Sequence, residues 1–274
     1  MRKNIPSNCL KILIDLFFLP VRKNKTLLKY VLNHSLHDEI EKMSNSGALF
    51  PLNHIHQSIR LSRKLLHKDF IILDIGGGIG ASVKLFTDNF PDKKIIVFEP
   101  VEESFKAIKK RFPDNYNIEF VKAAAGNENT EKEINIAARI TSSSLLPLEA
   151  DPKSDVFNEE YLGQKRVEKI RIIRLDDFLA NNHDEFGILK IDVQGFEMEV
   201  LKGAAKTLKR TDIIVLEVNN HYGYKGSAKY YEIDKYLREN NFSLYNIFPS
   251  VIDGGRLKEW DMIYMNSSAQ CVSE

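Results

Sequence analysis

Residues 70–75 form a nearly unbroken apolar run with β-branched members, the pattern of a parallel strand covered on both faces. Glycines end it. Gly76, Gly78 and Gly80 let the backbone take positive φ and approach a ligand where a Cβ would clash. The spacing predicts a helix over 81–89 with Val83, Leu85 and Phe86 toward the core, so that its N-terminal amides and positive dipole end face whatever sits above the glycines. A second apolar strand over 93–99 closes on Glu99, and a helix over 102–112 turns Phe105, Ile108 and Phe112 inward. A third strand, 117–121, runs into Lys122-Ala-Ala-Ala-Gly126, where small residues let a flat ring lie against the backbone.

Further on, Ile134, Ile136, Ala138 and Ile140 alternate along 132–140 as in a half-buried strand. Residues 141–166 have no period and mix a serine triplet, two prolines and many charges; the reading is a long loop that acts as a lid. A strand over 170–175 precedes Asp176, expected to cap a short helix from Asp177. Residues 187–195 form the fourth core strand, with Asp192 at the carboxyl end, where open α/β sheets place ligands. A helix over 196–208, a fifth strand over 212–218 carrying Glu217, a helix over 227–240, and strands over 242–248 and 261–266 complete the pattern. Asp253-Gly254-Gly255 joins the last two strands as an antiparallel hairpin.

The remaining features change the picture little. The 274 residues suit one α/β domain plus an appendage, read as a helical appendage over 1–66 and the main domain over 67–274. With 39 basic and 38 acidic residues the net charge is +1, which demands no nucleic acid. Two cysteines, Cys9 and Cys271, form no disulfide framework, so a reducing, cytoplasmic setting is expected. The first thirty residues carry seven basic side chains against Asp15, and the apolar stretch 10–21 is too short and interrupted to span a membrane. The reading is a packed helical appendage, with weak peripheral contact to anionic lipid as the other possibility. Periodicity over 26–66 predicts two helices. His54 and His56 lack a third ligand, and no metal site is assigned to them.

Chemistry enters with Glu99, nineteen residues after Gly80. In a βαβ unit that spacing lets a carboxylate accept hydrogen bonds from both hydroxyls of a ribose, which proposes a nucleoside-bearing cofactor. Gly76-x-Gly78-x-x-Ala81 with Glu99 also fits a nicotinamide fingerprint, and a catalytically silent scaffold is a further alternative. Nicotinamide domains, however, continue with parallel strands rather than a closing hairpin.

The chain resembles the FkbM family of S-adenosylmethionine-dependent methyltransferases over about 70–266. The resemblance rests on Asp74-Ile-Gly76 with Gly80, Phe98-Glu99-Pro100, Ala124-Ala-Gly126, Ser142-Ser143-Ser144-Leu145, Leu175-Asp176, Lys190-Ile-Asp192-Val193 with Gly195, Glu197, and Val200-Leu-Lys-Gly-Ala204. It implies a class I, Rossmann-like sheet of seven strands in the order 3-2-1-4-5-7-6 with strand 7 antiparallel, S-adenosyl-L-methionine as cofactor, and methyl transfer usually to oxygen on a small-molecule or glycan acceptor. Under it, Asp74 and the turn at Gly76, Gly78 and Gly80 hold the methionyl end, Glu99 the ribose and the Ala124 region the adenine. Pro100 and Ser143 complete the cofactor-binding set. A base or a metal should stand at the acceptor oxygen; Asp192, Glu217 and His221 are the candidates, and the two carboxylates could also hold Mg²⁺, although no metal site is assigned. The family's usual Ala-Asn after the first glycine is here Gly77-Gly78, and its Asp-Val-Glu-Gly is Asp192-Val193-Gln194-Gly195, which questions any role requiring charge at 194. No Asn/Asp-Pro-Pro-aromatic signature follows the fourth strand, which argues against methylation of an amine or adenine nitrogen, and no Pro-Cys is present, which argues against cytosine carbon.

Overall fold

The structure, a computed structural model, describes residues 59, 69–113, 117–154, 157–219, 223–253 and 256–268, all within the compact unit that spans residues 53–274. The expected N-terminal helices and basic segment, His54, His56, both cysteines and His221 lie outside the described residues.

Seven strands make the central sheet: β1 (Ile71–Ile75), β2 (Lys94–Phe98), β3 (Ile118–Val121), β8 (Phe186–Ile191), β9 (Thr211–Asn219), β11 (Phe242–Asp253) and β12 (Arg256–Asn266). Their spatial order is β3-β2-β1-β8-β9-β12-β11, the expected 3-2-1-4-5-7-6. All neighbours pair parallel except β12, which is antiparallel to both β9 and β11. The hairpin strands run longer than the apolar pattern suggested, because register shifts near Leu244 and Pro249 let the ladder continue past polar positions.

The strands bury side chains on both faces. Ile71, Leu73 and Ile75 pack with Leu175, Val200, Leu201, Leu208, Ile233 and Leu237 on one side. Ile72, on the other, packs with Val83, Phe86 and Ile108 from α1 (Ala81–Asn89) and α2 (Glu102–Arg111). Asp74 shares the face of Ile72 by strand alternation, which turns its carboxylate toward the start of α1.

Between β3 and β8 the chain builds a second layer. β4 (Ala124–Ala125), β7 (Gln164–Ile173) and β5 (Thr130–Ala137) form a three-stranded sheet. β7 begins six residues before the expected strand because its first half, mostly exposed, pairs along the edge with β5. The stretch read as a long loop also contains regular elements. It holds β6 (Leu148–Glu149), paired with β10 (Gly223–Tyr224), and the short helix α3 (Glu159–Leu162). Phe157, Leu162 and Tyr224 give it a small apolar core of its own, joined by Leu146 and Leu148.

Asp176 corrects a local expectation. It lies inside the short helix α4 (Leu175–Phe178) and caps a different one. Its carboxylate accepts from the backbone N–H groups of Lys206 and Thr207 at 2.8–3.0 Å and from the Thr207 hydroxyl at 2.9 Å, the N-cap role for α6 (Ala205–Leu208). The helix expected over 196–208 is accordingly two, α5 (Glu197–Lys202) and α6, broken at Gly203. A Cβ on Gly203 would stand 1.8 Å from the Gly126 carbonyl oxygen, and the Gly203 carbonyl accepts from the Asp176 N–H at 3.0 Å. The helix α7 (Tyr230–Glu239) then leads into β11.

Candidate active site

At the carboxyl ends of β1, β2 and β8 a cavity of about 330 Å³ opens, within the size range of small-molecule sites. Its floor is the glycine turn. Gly76 and Gly78 have φ of 84° and 52°, and a Cβ on Gly76 would stand 1.8 Å from the Asp192 carbonyl oxygen. Only glycine allows the β1 and β8 turns to come this close. The N–H groups of Gly76 and Gly77 both donate to the Phe98 carbonyl at 3.0 Å. α1 starts at Gly80, in the left-handed region and without a side-chain cap, and its first residues, Ala81 and Ser82, line the cavity. An uncapped first turn leaves amides for a ligand.

Glu99 stands at the end of β2 over this turn. The Gly78 N–H donates to one carboxylate oxygen and the Val101 N–H to the other, both at 2.8 Å. Burial pushes its carboxyl up to about 7; the two amide bonds and the nearby Lys190 oppose the rise. Beside it Val101, Ala124, Ile134, Ile140 and Leu145 make an apolar slot, suited to a flat ring.

Asp74 lies beneath the floor, wholly buried. Its carboxylate accepts from the Ser82 hydroxyl at 2.5 Å and pairs with the Lys190 ammonium at 3.1 Å, its register partner on β8. Lys190 also donates to the Gly76 carbonyl at 2.9 Å and stands 3.5 Å from Asp192. Desolvation works to lower the pKa of this buried lysine, but attraction from Asp74, Asp192 and Glu217, with the Asp74 hydrogen bond, outweighs it and the net shift is upward.

Asp192 is the exposed carboxylate of the site, with about a third of its side chain open (35%). The Gln194 amide donates to it at 2.7 Å and to Glu217 at 2.9 Å. Tyr224 donates to the Gln194 side-chain carbonyl and, at 3.3 Å, to the Ser142 carbonyl. Gln194 is held at φ 56°, and Ser144 clamps its backbone carbonyl at 2.6 Å. Burial raises the pKa of Glu217 well above the ordinary carboxyl range, and repulsion from Asp192, Glu259, Asp261 and Glu197 adds to it. Glu259 is raised to about 7, first by burial and then by Asp192 and Asp261. Glu197 rises to about 7 on burial even though its carboxylate accepts from the Gly195 and Val193 N–H groups at 3.0 and 3.3 Å. Among the described residues no group of three or more histidine, cysteine or acidic side chains is arranged to hold a metal ion.

Of the residues singled out from the sequence, Gly76, Gly78, Glu99, Pro100, Ala124, Ser143 and Asp192 line one cavity. The Ser143 hydroxyl is engaged within its own turn, accepting from the Ala137 N–H at 3.2 Å and donating to the Ile140 carbonyl at 2.7 Å. Asp74 and Gly80 lie under the cavity, and Gly80 packs against Ile108 and Phe112. Glu217 reaches the site through Gln194. Sequence reasoning missed the parts played by Lys190, Gln194 and Tyr224. A signal existed for Lys190, a lone cation inside an otherwise apolar buried strand.

The profile of the FkbM methyltransferase domain matches residues 74–244, from the buried aspartate to the first half of β11. The chain belongs to the FkbM methyltransferase family. It is an S-adenosylmethionine-dependent methyltransferase of the class I fold. Among similar proteins, Methyltransferase 1 of Beauveria bassiana is 25% identical over 210 residues, covering 71% of this chain and 84% of that protein. The 2-O-methyltransferase NoeI of Sinorhizobium fredii is 23% identical over 195 residues, 69% of this chain and 79% of that protein. Among solved structures, an rRNA methylase from Streptococcus thermophilus superposes with a TM-score of 0.46 at 10% identity, covering 80% of this chain and 99% of its own. FkbM membership leaves the nicotinamide reading of the glycine turn without support.

The residues present fit S-adenosylmethionine. The glycine turn brings bare backbone at positive φ to the cavity wall, a carboxylate stands over it with unused lone pairs, and the apolar slot adjoins both. No helix among the described residues is long and apolar enough to cross a membrane.

Proposed function

We propose that this FkbM methyltransferase methylates a hydroxyl oxygen on a small polar acceptor, a sugar or a hydroxylated natural product, with Asp192 as the general base. The observation that carries the reading is the position of Asp192, a partly exposed carboxylate lining the cavity at the end of β8. The family relationship and the printed activity of NoeI, a 2-O-methyltransferase, point the same way.

S-adenosylmethionine supplies a methyl group on a sulfonium, already activated for in-line displacement. What the chain must add is alignment and a place for the acceptor's proton. In this reading Glu99 accepts from the ribose hydroxyls, and the glycine turn, with its Gly76 and Gly77 amides held by the Phe98 carbonyl and its Gly78 amide by Glu99, lets the methionyl end lie close to the backbone. The Ala124 slot takes the adenine, while Asp74 stiffens the turn from below through Ser82. Asp192 accepts the hydroxyl proton, and Gln194 keeps its carboxylate oriented through one amide N–H while the other satisfies Glu217. Lys190 balances the negative charge that remains.

The test is S-adenosylhomocysteine formation when the purified full chain meets a panel of neutral methyl glycosides and oligosaccharides. Product with a hydroxyl acceptor, lost in Asp192→Asn, supports the reading. Product confined to amine acceptors overturns it, and no product with any acceptor favours the silent scaffold.

A further inference from the structure

Lys190 is the residue that joins the two halves of the cavity. Parallel register sets it beside Asp74, and its ammonium contacts three groups: the Gly76 carbonyl at 2.9 Å, Asp74 at 3.1 Å and Asp192 at 3.5 Å. It is buried yet lines the cavity. One cation and two carboxylates sum to a single negative charge, and the partly exposed Asp192 presents most of it to the cavity. Without Lys190 the Asp192 carboxylate at the cavity and the Asp74 carboxylate beneath its floor would both be uncompensated.

That difference bears on methyl transfer itself. Positive charge leaves sulfur as the methyl moves, so a strong counter-charge stabilises the sulfonium ground state more than the transition state and slows the step. Burial keeps such an interaction strong because little water screens it.

We propose that Lys190 is a charge-setting positioning residue: it ties the Gly76 carbonyl to the Asp74 and Asp192 carboxylates and limits the site's preference for the sulfonium S-adenosylmethionine over the thioether S-adenosylhomocysteine. This rests on the reading that the cavity beside Asp192 holds the reacting end of the cofactor. The two ligands differ by one methyl and one positive charge, so their affinity ratio isolates the electrostatic role from any general loosening of the site.

Calorimetry of the full chain with each ligand tests it. Lys190→Met raises the ratio of S-adenosylmethionine to S-adenosylhomocysteine affinity by about fivefold or more, fivefold being the size of a one-charge change at about 4 Å under the full screening of water and weaker screening enlarging it. Asp192→Asn moves the ratio the opposite way. Should Lys190→Met not fold, as judged by its thermal transition, Lys190→Gln keeps a donor for the Gly76 carbonyl and reads the same ratio. Equal weakening of both ligands in the Lys190 variants reduces Lys190 to a structural pair for Asp74 and overturns the inference alone. Failure of the unaltered chain to bind either ligand overturns the cofactor site as well.

Discussion

The two ends of the cavity are built in opposite ways. At the Glu99 end the carboxylate is gripped by backbone amides, those of Gly78 and Val101, and the second of these is only two residues away. At the Asp192 end the grip is made by side chains from separate elements: Lys190 on β8, Gln194 in the turn beyond it, Glu217 on β9 behind and Tyr224 on β10. Backbone amides at a glycine turn are available to whatever residue closes the next strand, so the first end is a property of one βαβ unit. The second exists only once strands and loops distant in sequence have met. Under the proposed function the first end meets the cofactor and the second the acceptor.

The contrast can be broken most forcefully at the point where the ends touch. Gly76→Ala places a Cβ 1.8 Å from the Asp192 carbonyl oxygen at a backbone φ of 84°. It should cost at least about 3 kcal/mol of stability or prevent folding, read from chemical denaturation. At the acceptor end, Asp192→Asn should lower turnover by about 100-fold or more, the usual worth of a general base, while S-adenosylhomocysteine affinity by calorimetry stays nearly unchanged. At the cofactor end the sign reverses. Glu99→Ala should weaken that affinity by about 1.5 to 3 kcal/mol, the range for hydrogen bonds to a charged group.

Acidity sharpens the same contrast. Glu99 titrates at about 7 in the folded chain against an ordinary 4.5, so between those values the folded state holds a proton that the unfolded state has released. Its contribution therefore makes the ligand-free protein less stable as pH rises from about 4.5 to about 7, with no further change above. Under the proposed function ribose hydroxyls donate to the ionised form, so S-adenosylhomocysteine binding should tighten by up to about tenfold per pH unit on approaching 7 and then level off. Glu99→Gln should flatten that curve, and titrations in buffers of different ionisation enthalpy should show the released proton. The smallest effect is expected from Tyr224→Phe, which removes the donor to the Gln194 carbonyl. About 1 kcal/mol of stability and a several-fold fall in turnover, without change in cofactor affinity, would show that the amide needs its outer partner.

The sheet was legible because its strands are short, apolar and closed by glycine or acidic residues, and because β12 follows a hairpin turn that forces it antiparallel. Glu99 was legible for the same reason: its place follows from the length of one βαβ unit. Asp176 shows the limit of such reasoning. A carboxylate at a helix start reads as that helix's cap, yet its partners are the amides of Lys206 and Thr207, 30 and 31 residues away. The insertion read as a lid likewise hid its strand pairings in a polar, aperiodic stretch, since β6 joins β10 across more than seventy residues.

By itself, then, the chain's pattern of apolar runs, glycines and strand-end carboxylates determined the strands, the glycine turn that ends β1 and the carboxylate that closes β2, since each of those features depends on neighbours within about thirty residues. The tertiary structure alone decided that Lys190 stands between Asp74 and Asp192, that Gln194 spans two carboxylates and that Tyr224 fixes Gln194. Those contacts depend on strand register and on a turn held at positive φ. The Lys190 bond to the Gly76 carbonyl joins positions 114 residues apart. Hydrophobic periodicity encodes which face is buried, whereas the partner of a buried charge is chosen only when distant strands come into register.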